Sequence, residues 1–287
     1  KLMNRRRHGI LPVLQWIQVS SLVSVLVACQ TRLPERDYAV SVQTRGHAHN
    51  DYEHPRPLLD ALELGFSSVE ADIHLVDGHL LVAHDSDETD PAKTLSKLYL
   101  EPLCQRFRET QGRISISTAP FILLIDIKTE AESTYQALQR VLERYRPLLT
   151  RTVDGVTLPG AVTVILSGNR PIETVARQPD RLVAIDGRLR DLGSHHPPSL
   201  MPLISDHWGT HFRWRGEGQI SEAERQRLLA LVQQVHGEDR ILRFWGNPDH
   251  EAYWLLAKQT GIDLVNTDAL AGLAGFLDQK GTPLDQR

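Results

Sequence analysis

RGHAHNDYEHPRPLLDALELGFSSVEADIHLVDGHLLVAHD occupies residues 45–85 and carries one full step of a repeating plan. A strand-like run at 40–46 ends just inside it. A helical pattern follows at 57–65, opened by Pro57 and closed by Gly65, and then a second strand-like run at 67–73. Strand, helix and strand in succession make a β/α unit, the building block of parallel sheets.

The same rhythm continues outward. Strand-like runs recur at 121–127 (FILLIDI), 161–166 (AVTVIL), 181–186 (RLVAID), 201–205 (MPLIS), 240–244 (RILRF) and 262–266 (IDLVN), with helical patterns at 130–146, 221–236 and 249–259. These runs, without a Gly-rich dinucleotide fingerprint, predict an α/β fold of the (β/α)8 TIM barrel type rather than a doubly wound sheet. A length of 287 residues with 41% hydrophobic and 24% charged residues suits one such barrel with a full core. A net charge of −4 carries no basic excess of the kind that neutralises phosphate backbones, so no nucleic-acid partner is expected.

Residues 1–28 join a basic stretch, an apolar stretch and small residues ahead of Cys29. They are expected to form a lipoprotein signal peptide, with 29–40 a polar tether and 41–287 the barrel. Leu26-Val27-Ala28-Cys29 resembles a bacterial lipobox, which implies a lipidated Cys29 as a membrane anchor. With Gln30 next in line, the expected location is the bacterial cell envelope, on the periplasmic face of the outer membrane. Cys104 is then the remaining thiol, so no intrachain disulfide is expected.

The chemistry gathers at strand ends. In SSVEADIHLV, the period of two puts Glu70 and Asp72 on one face, and two carboxylates aimed into a barrel call for a cation. Asp126 in ILLIDIK adds a third acid among apolar neighbours, with Lys128 two residues on as its internal ion-pair alternative. Asp77-Gly78 is a hairpin turn that would return His84 towards Glu70 and Asp72. His49 and Asn50 follow the first strand, at the end of a barrel where active sites lie. Oxygen ligands favour one divalent cation, Mg²⁺ or Ca²⁺.

His49-Asn50-Asp51-Tyr52, Glu70-x-Asp72, His84-Asp85 and Asp126-x-Lys128, in that order, resemble the phosphoinositide phospholipase C and glycerophosphodiester phosphodiesterase superfamily. The HAHNDY form is most similar to a subgroup that includes fungal altered-inheritance-of-mitochondria proteins. The resemblance implies a metal-dependent phosphoric diester hydrolase acting on a small phosphodiester or a lipid head group. It implies His49 and His84 as acid and base, in either order, and Glu70, Asp72, Asp126 and Asn50 as metal ligands. Lys128, His47, and Arg243 with Trp245 in RFWGNPD, are candidate substrate contacts. The sequence departs from glycerophosphodiesterases in lacking H-R-G and E-N-T and in carrying Asp126 where Glu is usual. His47 competes with His49 for the first catalytic role. Two rival readings use the same residues. His47-x-His49 with Asp268 resembles a zinc amidohydrolase, and a non-catalytic lipoprotein could keep the barrel to bind phosphorylated ligands.

Overall fold

A computed structural model describes residues 45–115, 117 and 119–279. The expected signal peptide, tether and lipidated Cys29 lie outside these residues. Eight parallel strands close into a barrel, labelled here β1 (Arg45–Ala48), β2 (Ser68–Val76), β3 (Phe121–Ile127), β4 (Val162–Gly168), β5 (Val183–Gly187), β6 (Leu203–His207), β7 (Ile241–Trp245) and β8 (Leu264–Thr267). Closure falls on β1, which pairs with β8 through His47 opposite Asn266 and with β2 through His47 opposite Ser68. The chain has the (β/α)8 fold.

Alternation along β3 explains what the barrel holds. Leu123, Ile125 and Ile127 face outward into the main apolar core, together with Val69, Ala71 and Ile73 of β2. Ile122 and Leu124 face inward, where they meet Ile165, Ala184, Leu203 and Leu264 in a separate apolar plug. Asp126 continues the inward phase one step above that plug, level with Asp72. The lower interior is therefore oil and the upper interior is ionic.

The outer layer follows the expected helices with shifted edges. Ala131–Leu142 buries Tyr135, Leu138 and Leu142, and its first turn is capped by Glu130. Glu222–Gly237 starts at Ser221, whose hydroxyl accepts from the amide of Glu224. Glu251–Thr260 ends at Gly261, held at a φ of 87° that favours glycine.

Two segments differ from expectation. Residues 86–118, where none of the strand-like or helical runs read from sequence falls, contain a helix at Glu101–Glu109 that buries Leu103, the free thiol of Cys104 and Phe107. Beside β4, Arg151–Val153 and Val156–Leu158 form an unforeseen hairpin in a small antiparallel sheet. Its turn is Asp154-Gly155, both at positive φ.

The chain after β6 is rich in aromatic residues, which at a barrel mouth could line a binding surface. Trp208 and Phe212 are instead fully buried, with rings stacked at 4.2 Å, and Phe244 and Tyr253 meet Trp208 edge-on. Trp208 also donates its indole N–H to the carbonyl of Trp214. This cluster is core, and it fixes the start of the loop beyond β6. Replacing Trp208 by Ala should cost about 3–5 kcal/mol of stability through the cavity left behind, read as a lower midpoint in urea denaturation.

Candidate active site

The upper rim of the barrel gathers side chains from strands far apart in sequence. Each loop there is set by a local tie. After β1 the chain turns through Asn50, at a left-handed φ of 43° that suits Asn, into a short 3-10 turn at Asp51–Glu53. Asp51 is fully buried, and its carboxylate accepts from the backbone N–H of Leu58 and from the hydroxyl of Tyr99. Burial pushes its pKa up to about 6 despite those two hydrogen bonds. Asp51 thus staples the loop that presents His49 and Asn50. The second loop is an arm: β2 runs on past the barrel, turns at Asp77-Gly78, and returns as His79–Val82 to deliver His84.

Glu70, Asp72 and Asp126 offer carboxylate oxygens that all lie within 4.8 Å of one another. Three anions at this separation repel, and the protein supplies two cations. Arg243, only 2% exposed, donates to Glu70 at 2.7 Å and to Asn266 at 2.6 and 3.0 Å. Lys128 bridges Asp72 at 2.9 Å and Asp126 at 3.3 Å. Burial would raise the pKa of Glu70, but Arg243 and His47 hold it well below the carboxylate range. Asp72 and Asp126 stay raised, first by burial and then by their acidic neighbours, against the pull of Lys128. One buried oxygen, Oδ1 of Asp72, has no hydrogen-bond partner. A hard divalent cation fits this set: three anionic oxygens, an orphaned acceptor, and acids that burial and mutual repulsion drive upward.

The histidines divide into distinct environments. His47 is buried, with Nε2 donating to Glu70 at 3.2 Å and Nδ1 meeting the Ser68 hydroxyl at 2.6 Å. Burial, with the charge of Arg243 adding to it, pushes its pKa down to about 3, so the ring is neutral and both nitrogens are engaged. His49 turns Nδ1 to Asp268 at 2.8 Å, a contact that leaves Nε2 as the open nitrogen. Burial lowers the pKa of His49, but the hydrogen bond to Asp268 and the charges of Glu70 and Asp268 outweigh it and raise the net value. His84 is half exposed, with Nδ1 3.3 Å from both Asp72 and the Tyr52 hydroxyl. Tyr52 in turn donates to Asp72 at 2.8 Å.

Nearly all the residues expected from sequence meet at this mouth, with changed partners for some. Arg243 and Lys128, expected to contact substrate, are tied to the acids. Asn50 donates weakly to Glu53 at 3.4 Å. Trp245 stands 38% exposed, edge-on to His207 at 4.6 Å. Tyr52 and Asn266 received no role from sequence, and Asp268 entered only with the amidohydrolase reading. Tyr52 was signalled by its place in HNDY. The zinc reading loses its footing, since His47 and His49 bind separate carboxylates and the acid cluster among the described residues contains no histidine.

Comparison with known proteins adds the family. Residues 37–186 match the AIM6-like phosphodiesterase domain. Altered inheritance of mitochondria protein 6 of Eremothecium gossypii is 30% identical, over 83% of this chain and 70% of that one. A homologue in Arthroderma benhamiae is 25% identical, over 80% and 82%. Among solved structures, a glycerophosphodiester phosphodiesterase of Parabacteroides distasonis superposes with a TM-score of 0.51 at 14% identity, over 83% of this chain and 98% of that one. A glycerophosphoryl diester phosphodiesterase of the same organism gives 0.51 at 12% identity, over 87% and 90%. At such identities the likeness is one of fold.

These relatives correct one expectation. They are fungal proteins named for mitochondrial inheritance, which overturns the location on the bacterial cell envelope and leaves lipidation at Cys29 without support. A basic stretch followed by an apolar one is shared by the addresses of several compartments, and a four-residue stretch ending in cysteine cannot choose among them. Among the described residues, no helix is long and apolar enough to cross a membrane.

The pairing of His49 with Asp268 generates a direct test. Replacing Asp268 by Asn should lower the His49 pKa, read from its ring protons by NMR titration, because the charge favouring the imidazolium is removed. A raised pKa in the folded state means that the pair stabilises the fold fully below the unfolded histidine pKa and loses that contribution as pH rises through the folded value. The variant should lack this pH-dependent component in urea unfolding.

Proposed function

This chain belongs to the AIM6-like phosphodiesterase family, and on that premise we propose that the barrel mouth is a metal-assisted site for cleaving phosphoric diesters. The observation that carries the reading is the convergence of three carboxylates with two differently held imidazoles, His49 and His84, on one rim. Glu70, Asp72 and Asp126 would hold the ion, with Asn50 as an added oxygen ligand. When bound, a divalent cation such as Mg²⁺ or Ca²⁺ supplies Lewis-acid stabilisation of charge on the phosphoryl oxygens.

The chain's own residues do the rest. With Nδ1 fixed by Asp268, His49 presents Nε2 as the general base towards the attacking hydroxyl, from water or from the substrate itself. Asp268 orients that ring and favours its protonated form after the transfer, as a carboxylate does for a catalytic imidazole. His84, anchored at Nδ1 by Asp72 and Tyr52, is the general acid that returns a proton to the departing alkoxide. Its exposure suits contact with a leaving group that must exit. Arg243 positions Glu70 instead of touching substrate, and His47, neutral and saturated, completes that support. Lys128 balances Asp72 and Asp126 and sits partly open at the rim, where it can also meet phosphate. A small phosphodiester or a phosphorylated lipid head group is the substrate class that fits a rim with this charge.

The test is turnover of bis-p-nitrophenyl phosphate and of glycerophosphodiesters by the purified chain, with EDTA and with Mg²⁺ or Ca²⁺ restored. Activity should vanish with EDTA and return with the ion. His84→Ala should lower kcat by about 10²–10⁴-fold, the range for loss of one general acid, with the fold intact by circular dichroism. Activity indifferent to EDTA, or no turnover of any diester, would sink this reading.

A further inference from the structure

Beside the acid cluster, the same rim carries a second charged group that the chemistry above does not use. Asp186 of β5 is wholly buried and accepts at Oδ2 from Ser167 at 2.8 Å, Ser205 at 2.7 Å and Arg188 at 2.7 Å, while its Oδ1 has no partner. Arg188 reaches across to Ser167 at 3.3 Å. Arg170 donates to the backbone carbonyl of Asp186, and its buried Nε has no partner. Two guanidinium groups therefore converge on one residue, Arg188 on the carboxylate of Asp186 and Arg170 on its backbone carbonyl. Arg190 and Asp191 also act on Arg170, with opposite signs. Burial, and then the charge of Arg188, lower the pKa of Arg170.

Register measures the distance to the reacting centre. Asp126 of β3 stands opposite Ser167 of β4, and the β4–β5 pairing puts Asp186 one strand further on. At roughly 4.8 Å per strand, Asp186 lies about 10 Å around the rim from Asp126, and Arg188, reaching back to Ser167, narrows that interval. The two places are also mechanically joined. Gly168 has a φ of 65°, and a Cβ there would strike Oδ1 of Asp126; Arg170 follows two residues later.

We propose that Arg170 and Arg188 form a subsite for a second anionic group, a phosphomonoester or carboxylate carried on the head group of the phosphodiester. Guanidinium forks match such groups in planar geometry, and a partly desolvated pair repays the loss of water better than an exposed lysine does. A three-carbon polyol bearing a phosphate at each end spans the interval between the two places. The proposal rests on the phosphodiesterase reading for the identity of the first group, and it deepens that reading by naming a doubly anionic substrate.

The comparison uses glycerophosphoglycerol and glycerophosphoglycerol phosphate as soluble diesters, and phosphatidylglycerol against phosphatidylglycerol phosphate in phosphatidylcholine vesicles. The wild-type chain should favour the doubly anionic member in kcat/KM, and Arg188→Gln should cut that preference about tenfold, the scale of one charge-assisted hydrogen bond. Arg170→Lys keeps the charge but not the fork, and should cut it less than Arg170→Gln. Loss of preference in the soluble arm assigns a free head group, and loss only in vesicles assigns a lipid. No preference in either arm, or a preference unmoved by both glutamine variants, overturns the subsite. Should no diester turn over at all, binding of glycerophosphoglycerol phosphate by calorimetry still decides. Affinity that falls in Arg188→Gln supports the subsite without the chemistry, and unaltered or absent affinity rejects it. Thermal melting of each variant separates lost binding from lost fold.

Discussion

Three carboxylates packed at one end of a closed barrel cannot coexist without cations, and this constraint organises the upper half of the molecule. Glu70 is met by Arg243 from nearly the far side of the closed sheet, and Lys128 lies between Asp72 and Asp126. Neither cation is decorative. Removing one would leave a buried anion whose cost exceeds the energy of the pair itself. The apolar plug of Ile122, Leu124, Ile165, Ala184, Leu203 and Leu264 seals the floor, so charges above it are screened by water from one side only. The strength of every interaction at the rim follows from that asymmetry.

The barrel was legible because parallel strands covered on both faces are near-continuous apolar runs, as FILLIDI is. Glu70 and Asp72 were legible by their period of two, and the return of His84 by Asp77-Gly78. What stayed hidden needed closure of the sheet. His49 and Asp268 are 219 residues apart and meet only because β1 and β8 are neighbours in the ring. The residue type of Arg243 announced a cation, but only the tilt of the strands decides that it faces an acid of β2 and not solvent. Short elements escaped for a different reason. Arg151–Val153 and Val156–Leu158 are too brief to show alternation, and the helix at Glu101–Glu109 follows a π turn at Ser96–Leu100 that breaks its period.

Charge is distributed around the rim in two sectors. One is anionic and built on β2 and β3; the other sets two arginines around the buried Asp186 and is built on β4, β5 and β6, with Ser167 as the shared border. Function class is read from the first sector, where acids and imidazoles make diester cleavage the best-supported chemistry. The second sector bears on which diester. Separating the two along the ring lets side chains of one change with little effect on the other, as expected of a fold whose strand ends carry chemistry independently.

The two imidazoles stand on different mechanical ground. His49 sits directly after a strand hydrogen-bonded on both edges and is anchored to the loop after β8, so it moves with the ring as a whole. His84 hangs at the end of an antiparallel ribbon joined to the ring along one side, with an added bridge from Leu81 to Thr94. The two sides of the site therefore depend on different parts of the chain, His49 on closure of the ring and His84 on the pairing of the ribbon, so a change at the Asp77-Gly78 turn bears on one imidazole and not on the other.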